Sequence, residues 1–137
     1  MASIHKDIRI NAHPDEVWSA VRDFAAVHRL APGFVTDAHL DGEARIVTFH
    51  NGQVAREELV DSDDARRRLA YAIVGQRVRH YNASVQVLAD GDGSSRIIWI
   101  VDVLPSEVAP YIEGQMELAA LAMRKALGSG LAEPRSM

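Results

Sequence analysis

Residues 44–60 read Ala44-Arg45-Ile46-Val47-Thr48-Phe49-His50-Asn51-Gly52-Gln53-Val54-Ala55-Arg56-Glu57-Glu58-Leu59-Val60. Apolar and polar residues alternate on both sides of Asn51-Gly52, and a period of two is that of a strand with one buried face. Asn-Gly is the strongest short hairpin signal, because both residues tolerate positive φ. The stretch therefore predicts strands over 44–50 and 53–60 joined by a tight turn. Outward from it, Asp41-Gly42, Ser62-Asp63-Asp64 and Asp90-Gly91-Asp92-Gly93 punctuate further apolar runs. These predict strands over 35–41, 67–75, 80–89 and 95–104, an antiparallel meander.

The flanks complete the order. Ile4 to Asn11 alternates and reads as an opening strand. Pro14 suits a first helical position, Asp15 and Glu16 complement the helix dipole, and Val17, Trp18, Val21 and Phe24 form an apolar stripe, so a helix is predicted over about 14–24. Ala25 to Leu30 extends into a second short helix that Pro32-Gly33 must stop. Pro105 closes the last strand, and beyond it Ile112, Met116, Ala119, Ala120, Met123 and Leu127 recur at helical spacing, with Gly128 placed as the cap. Residues 129–137 read as a frayed tail.

The chain has 137 residues, room for one domain spanning 1–137 with an ordered core over about 4–127. Hydrophobic residues make up 47% and charged residues 25%, which excludes disordered and collagen-like chains. A net charge of −4 argues against nucleic acid or an anionic membrane surface as partner. There is no cysteine, which removes disulfides, thiolate nucleophiles and sulfur-ligated metals. The start, Met1-Ala2-Ser3-Ile4-His5-Lys6-Asp7, lacks the apolar core of a secretory signal, and no apolar run approaches the roughly 20 residues of a spanning helix. A cytoplasmic protein without stable membrane insertion, monomeric or a homodimer, is expected.

A twisted antiparallel sheet must bury one face, and the last helix offers the only apolar surface long enough to cover it. Its stripe of Met and Ala fills little space, which predicts a cavity unless inward Trp, Tyr and Phe from the sheet close the gap.

Several segments, taken in order, match a family pattern. Asn11-Ala12-His13-Pro14-Asp15-Glu16-Val17-Trp18, then Asp23-Phe24 with His28 and Pro32, Gly42-Glu43-Ala44-Arg45, Glu57-Glu58-Leu59 with Asp63, Leu69-Ala70-Tyr71, Tyr81 and Trp99 follow its order. The chain resembles the polyketide cyclase/dehydrase and lipid-transport superfamily of START/Bet v 1-like proteins, in particular its small bacterial branch. The resemblance implies an α+β helix-grip fold, a curved seven-stranded antiparallel sheet around a long C-terminal helix, with two short helices between the first two strands. It implies a ligand-holding fold and no single reaction. Leu30 where many relatives carry Trp, Arg77 where Pro is common, and the short Asp41-Gly42 turn depart from the pattern, so a relative's ligand cannot be copied.

Alternation places Arg45, Glu57, Tyr71, Tyr81 and Trp99 on the inward face. With the turn at 51–52, Arg45 and Glu57 lie about one diagonal step apart. One reading is a self-neutralising pair, since a lone buried charge is costly. The other is catalytic: Arg45 binds a carbonyl or enolate oxygen while Glu57, Tyr71 or Tyr81 moves a proton, as cyclisation or dehydration of a polyketide requires. The residues expected against a small hydrophobic ligand are His28, Leu30 and Phe34 near the short helices. Val47, Phe49, Trp99 and Val101 are expected from the sheet, and Ile112, Met116, Ala119, Ala120 and Met123 from the helix.

His5, His13, His39, His50 and His80 fall on outward positions or turns, and no HxH or HxxxH pair occurs, so no metal is expected. His28 alone is a candidate proton carrier. The charged run 61–68 reads as a solvated hairpin end. No GxSxG, Walker loop, GxGxxG or HExxH occurs, so any enzyme here is expected to be cofactor-free. Three functions stay open: a binding module for a hydrophobic or aromatic metabolite, which is favoured, a cofactor-independent cyclase or dehydratase, and an interaction module without a small ligand.

Overall fold

A computed structural model of the chain describes residues 2–75 and 78–128. The elements in order are β1 (Ala2–Ile10), α1 (Pro14–Arg22), a single 3-10 turn (Phe24–Ala26), α2 (Val27–Leu30), β2 (Val35–Asp41), β3 (Ala44–Phe49), β4 (Val54–Asp63), β5 (Arg68–Val74), β6 (His80–Ala89), β7 (Ser95–Leu104), a second 3-10 turn (Ser106–Val108) and α3 (Ala109–Leu127). All seven strands form one antiparallel sheet in the order β1-β7-β6-β5-β4-β3-β2. This is the expected α+β architecture. Arg77 and the expected tail at 129–137 lie outside the described residues.

Local chemistry sets the ends. The His13 ring nitrogen accepts from the Asp15 N–H at 3.2 Å and Pro14 occupies the first turn, so α1 starts where the sequence predicts. It stops at Arg22, short of the expected 24, and Phe24–Ala26 tightens into the 3-10 turn before α2. The β3–β4 turn differs by one residue from a two-residue hairpin. The Phe49 N–H donates to the Gln53 carbonyl at 2.8 Å, and His50, Asn51 and Gly52 form a three-residue loop closed by the Gly52 N–H on the Phe49 carbonyl at 2.9 Å. Gly52 at φ +86° supplies the left-handed position that such a loop demands. Arg45 is therefore directly opposite Glu57, not diagonal to it.

Two register shifts bend the sheet, one between Val35 and Asp37 in β2 and one between Leu59 and Asp61 in β4. The second lets β4 run on to Asp63, beyond the expected end at 60. The charged run 61–68 does more than face water. Asp64 accepts from the Trp18 indole N–H at 2.9 Å and from Arg22 at 3.0 Å, and Arg67 meets Asp15 at 2.8 Å, so the β4–β5 end holds α1.

Ile8, Ile10, Val17, Ile97 and Val103 form the solid end of the core, each fully buried or nearly so. Each such side chain stabilises the fold by about 1.5–3 kcal/mol. α3 lies across the concave face. Lys6 on β1 reaches Glu113 at 3.3 Å and Glu117 at 3.1 Å, two residues one helical turn apart. At the helix end the Asn11 N–H donates to the Gly128 carbonyl at 2.8 Å. Gly128 has φ +134°, and a Cβ there would stand 2.6 Å from the Asn11 carbonyl oxygen. Gly128→Ala is expected to cost about 1–3 kcal/mol, read as a lower denaturation midpoint with an unchanged urea slope.

Candidate functional site

Between the concave face and α3 lies a cavity of about 490 Å³. It exists because the covering face of α3 presents Met116, Ala119 and Met123 where bulkier side chains would reach the sheet. Sheet curvature carries β2, β3 and β4 away from the helix at that end.

Arg45 and Glu57 sit in the wall, only 4% and 5% exposed. Arg45 Nε donates to Glu57 Oε1 at 2.7 Å and its Nη1 donates to the Phe24 carbonyl at 3.2 Å. The guanidinium is stacked between the Phe24 ring at 4.0 Å and the Tyr71 ring at 4.9 Å. The pair is thus held by its own hydrogen bond, one backbone carbonyl and two rings, while among the described residues Glu57 Oε2 makes no hydrogen bond.

Tyr71 and Tyr81 also line the cavity. Burial holds both phenols protonated well above the ordinary tyrosine range. The Glu57 charge pushes Tyr71 further the same way, Tyr71 and Glu57 do so for Tyr81, and Arg45 opposes the shift at both. A phenol held neutral only by the fold destabilises that fold once the unfolded chain can ionise, so stability is full below about pH 10 and falls as pH rises beyond it. Spectrophotometric titration is expected to show these two rings ionising together with unfolding.

Of the residues the sequence singles out, Arg45, Glu57, Tyr71, Tyr81, Leu30, Phe34, Val47, Phe49, Trp99, Ile112, Met116, Ala119 and Met123 all meet in this wall. Three do not. Val101, at 0% exposure, is sealed in the solid core. Ala120, at 2%, is turned from Ala119 by one helical step into closed packing. His28 is half-buried on α2 outside the lining, with an unpartnered Nδ1.

Sequence reading missed the mouth. Gln53, Val54, Glu107, Val108, Tyr111 and Gln115 line it. The Tyr111 hydroxyl donates to Gln53 Oε1 at 3.0 Å and accepts from Asn51 at 3.3 Å, while His50 meets Gln115 at 3.3 Å. These contacts fasten the β3–β4 turn to α3. The four-residue spacing of Tyr111 and Gln115 was the available signal, since it puts both on one helix face.

The model of the family described as polyketide cyclase/dehydrase and lipid transport matches residues 1–133. The chain belongs to this family. No curated protein sequence matches it. Among solved structures, the polyketide cyclase/dehydrase-type chain is similar to protein XoxI from Bacillus cereus, at 20% identity and TM-score 0.85, covering 93% of this chain and 96% of that one. It is also similar to truncated norcoclaurine synthase from Thalictrum flavum, at 19% identity and TM-score 0.73 over 97% and 95%. A START superfamily protein from Mycobacterium smegmatis gives 15% identity and TM-score 0.71 over 94% and 96%. At such identities the likeness shows the START/Bet v 1-like fold alone. Among the described residues of this family member, no three His, Asp or Glu side chains are grouped to hold a metal, and no helix is long and apolar enough to cross a membrane.

Proposed function

We propose that the protein binds a small hydrophobic or aromatic metabolite, lipid- or polyketide-like, in the cavity between the sheet and α3. One observation carries this reading. The only buried charges among the described residues, Arg45 and Glu57, are spent on each other at 2.7 Å, and most of the remaining wall is apolar. A cavity with paired charges suits a carrier, whereas a proton-transfer site needs a desolvated acid or base without a permanent counter-ion. Native mass spectrometry of the purified protein tests the reading. A neutral, apolar compound released on denaturation is expected, and an empty protein that also fails to bind neutral aromatic probes overturns it.

A second reading, a cofactor-independent cyclase or dehydratase, draws on the unpartnered Glu57 Oε2 and the two protonated phenols beside it. It requires that Glu57→Gln abolish turnover of a poly-carbonyl substrate while ligand affinity stays within about threefold.

A further inference from the structure

Trp99 and Tyr71 are two of the polar groups in the cavity wall outside the ion pair. Trp99 is 6% exposed, and its indole N–H has no acceptor at hydrogen-bonding geometry. The other indole, Trp18, has one, the Asp64 carboxylate. A buried N–H left without a partner is unfavourable and rare enough to need a reason.

Register explains what lies beside it. Tyr71 is opposite Ala83, which is opposite Val101, while Leu69 is opposite Val85, which is opposite Trp99. Tyr71 and Trp99 are therefore diagonal neighbours on the concave face, flanking β6, and the Ala83 methyl leaves room between them. The indole N–H acts on the Tyr71 oxygen in the direction of a donor, lowering the phenol's pKa slightly against the larger effect of burial. The Tyr71 ring is held in place by the Arg45 guanidinium over its face. Among the described residues the phenol O–H has no hydrogen-bond acceptor, and the ring stands in the cavity wall.

Resting on the binding reading above, we propose that Tyr71 and Trp99 form an oxygen-recognition subsite, and that the ligand is an uncharged molecule carrying a carbonyl-type acceptor. The ligand oxygen takes the Tyr71 O–H. The phenol oxygen, made a better acceptor by that donation, draws in the Trp99 N–H. Tyr71 contacts the ligand and Trp99 is a positioning residue. A carboxylate ligand is disfavoured, because Arg45 is committed to Glu57 and the Phe24 carbonyl, and the free Glu57 oxygen would repel it.

The test uses 2-acetylnaphthalene, its isostere 2-isopropenylnaphthalene, in which C=CH2 replaces C=O, and 2-naphthoate. The ketone is expected to bind about tenfold more tightly than the alkene, the effect of one good net hydrogen bond. Naphthoate is expected to bind at least tenfold more weakly than the ketone. In nitrogen-15 labelled protein the Trp99 indole N–H signal is expected to move downfield with the ketone and not with the alkene, while the Trp18 signal stays fixed. Tyr71→Phe should erase the ketone preference, and Trp99→Phe should reduce it. Equal binding of ketone and alkene, a static Trp99 signal, or a preference that survives Tyr71→Phe overturns the subsite while leaving the binding reading intact. Failure of all three probes to bind overturns both. The indole signals are read in the unaltered protein, so the test does not depend on any variant folding.

Discussion

Glu57→Gln is expected to lower the melting temperature by roughly 10–20 °C. The substitution is nearly isosteric, so packing is kept, but the Arg45 guanidinium stays buried without its counter-charge. Breaking a buried pair from one side costs about 3–5 kcal/mol, and in a domain of this size each kcal/mol is worth roughly 3–5 °C. The double replacement Arg45→Met with Glu57→Leu is expected to recover most of the loss, because apolar residues of similar volume suit the site without desolvated charge. Calorimetry on the three variants decides the matter. A Glu57→Gln protein melting within 3 °C of the parent would show that the pair does not hold the wall together.

Ala119→Phe is expected to reduce affinity for a neutral naphthyl ketone by at least thirtyfold while the melting temperature moves by less than about 5 °C. Ala119 is buried on α3 and its methyl borders the cavity, so the ring grows into empty space. Ala120→Phe is the contrasting case. Ala120 is equally buried but faces closed packing, and overfilling such a site costs about 1–3 kcal/mol. Binding and melting should thus separate between two adjacent alanines. Equal affinity loss in both variants would mean that the cavity is not where the ligand sits.

The inward faces were legible because alternation is a property of the chain itself. Arg45, Glu57, Tyr71, Tyr81 and Trp99 each lie two, four or six residues from buried aliphatic neighbours, and all five reach the cavity. Depth was not legible. Trp99 and Val101 share a face, yet one borders the cavity and the other is sealed in packing, because a period of two encodes the side of a sheet and not the distance along it. The bends at Val35/Asp37 and Leu59/Asp61 carry no compositional mark. The Arg45–Glu57 register slipped by one because Asn51-Gly52 signals a hairpin without fixing whether its loop has two residues or three. The mouth contacts join residues 58 to 65 positions apart in the chain, with polar groups that follow no period.

The covering helix follows every strand in chain order, and the pairing of Ala2 with Val103 joins the first strand to the last. Synthesis therefore lays down every strand of the basin before its roof. Closing contacts of such long range makes for slow, collective folding. A guest that fits the basin favours the roofed state over the open chain by mass action, so its supply bears on how much of the newborn protein reaches maturity.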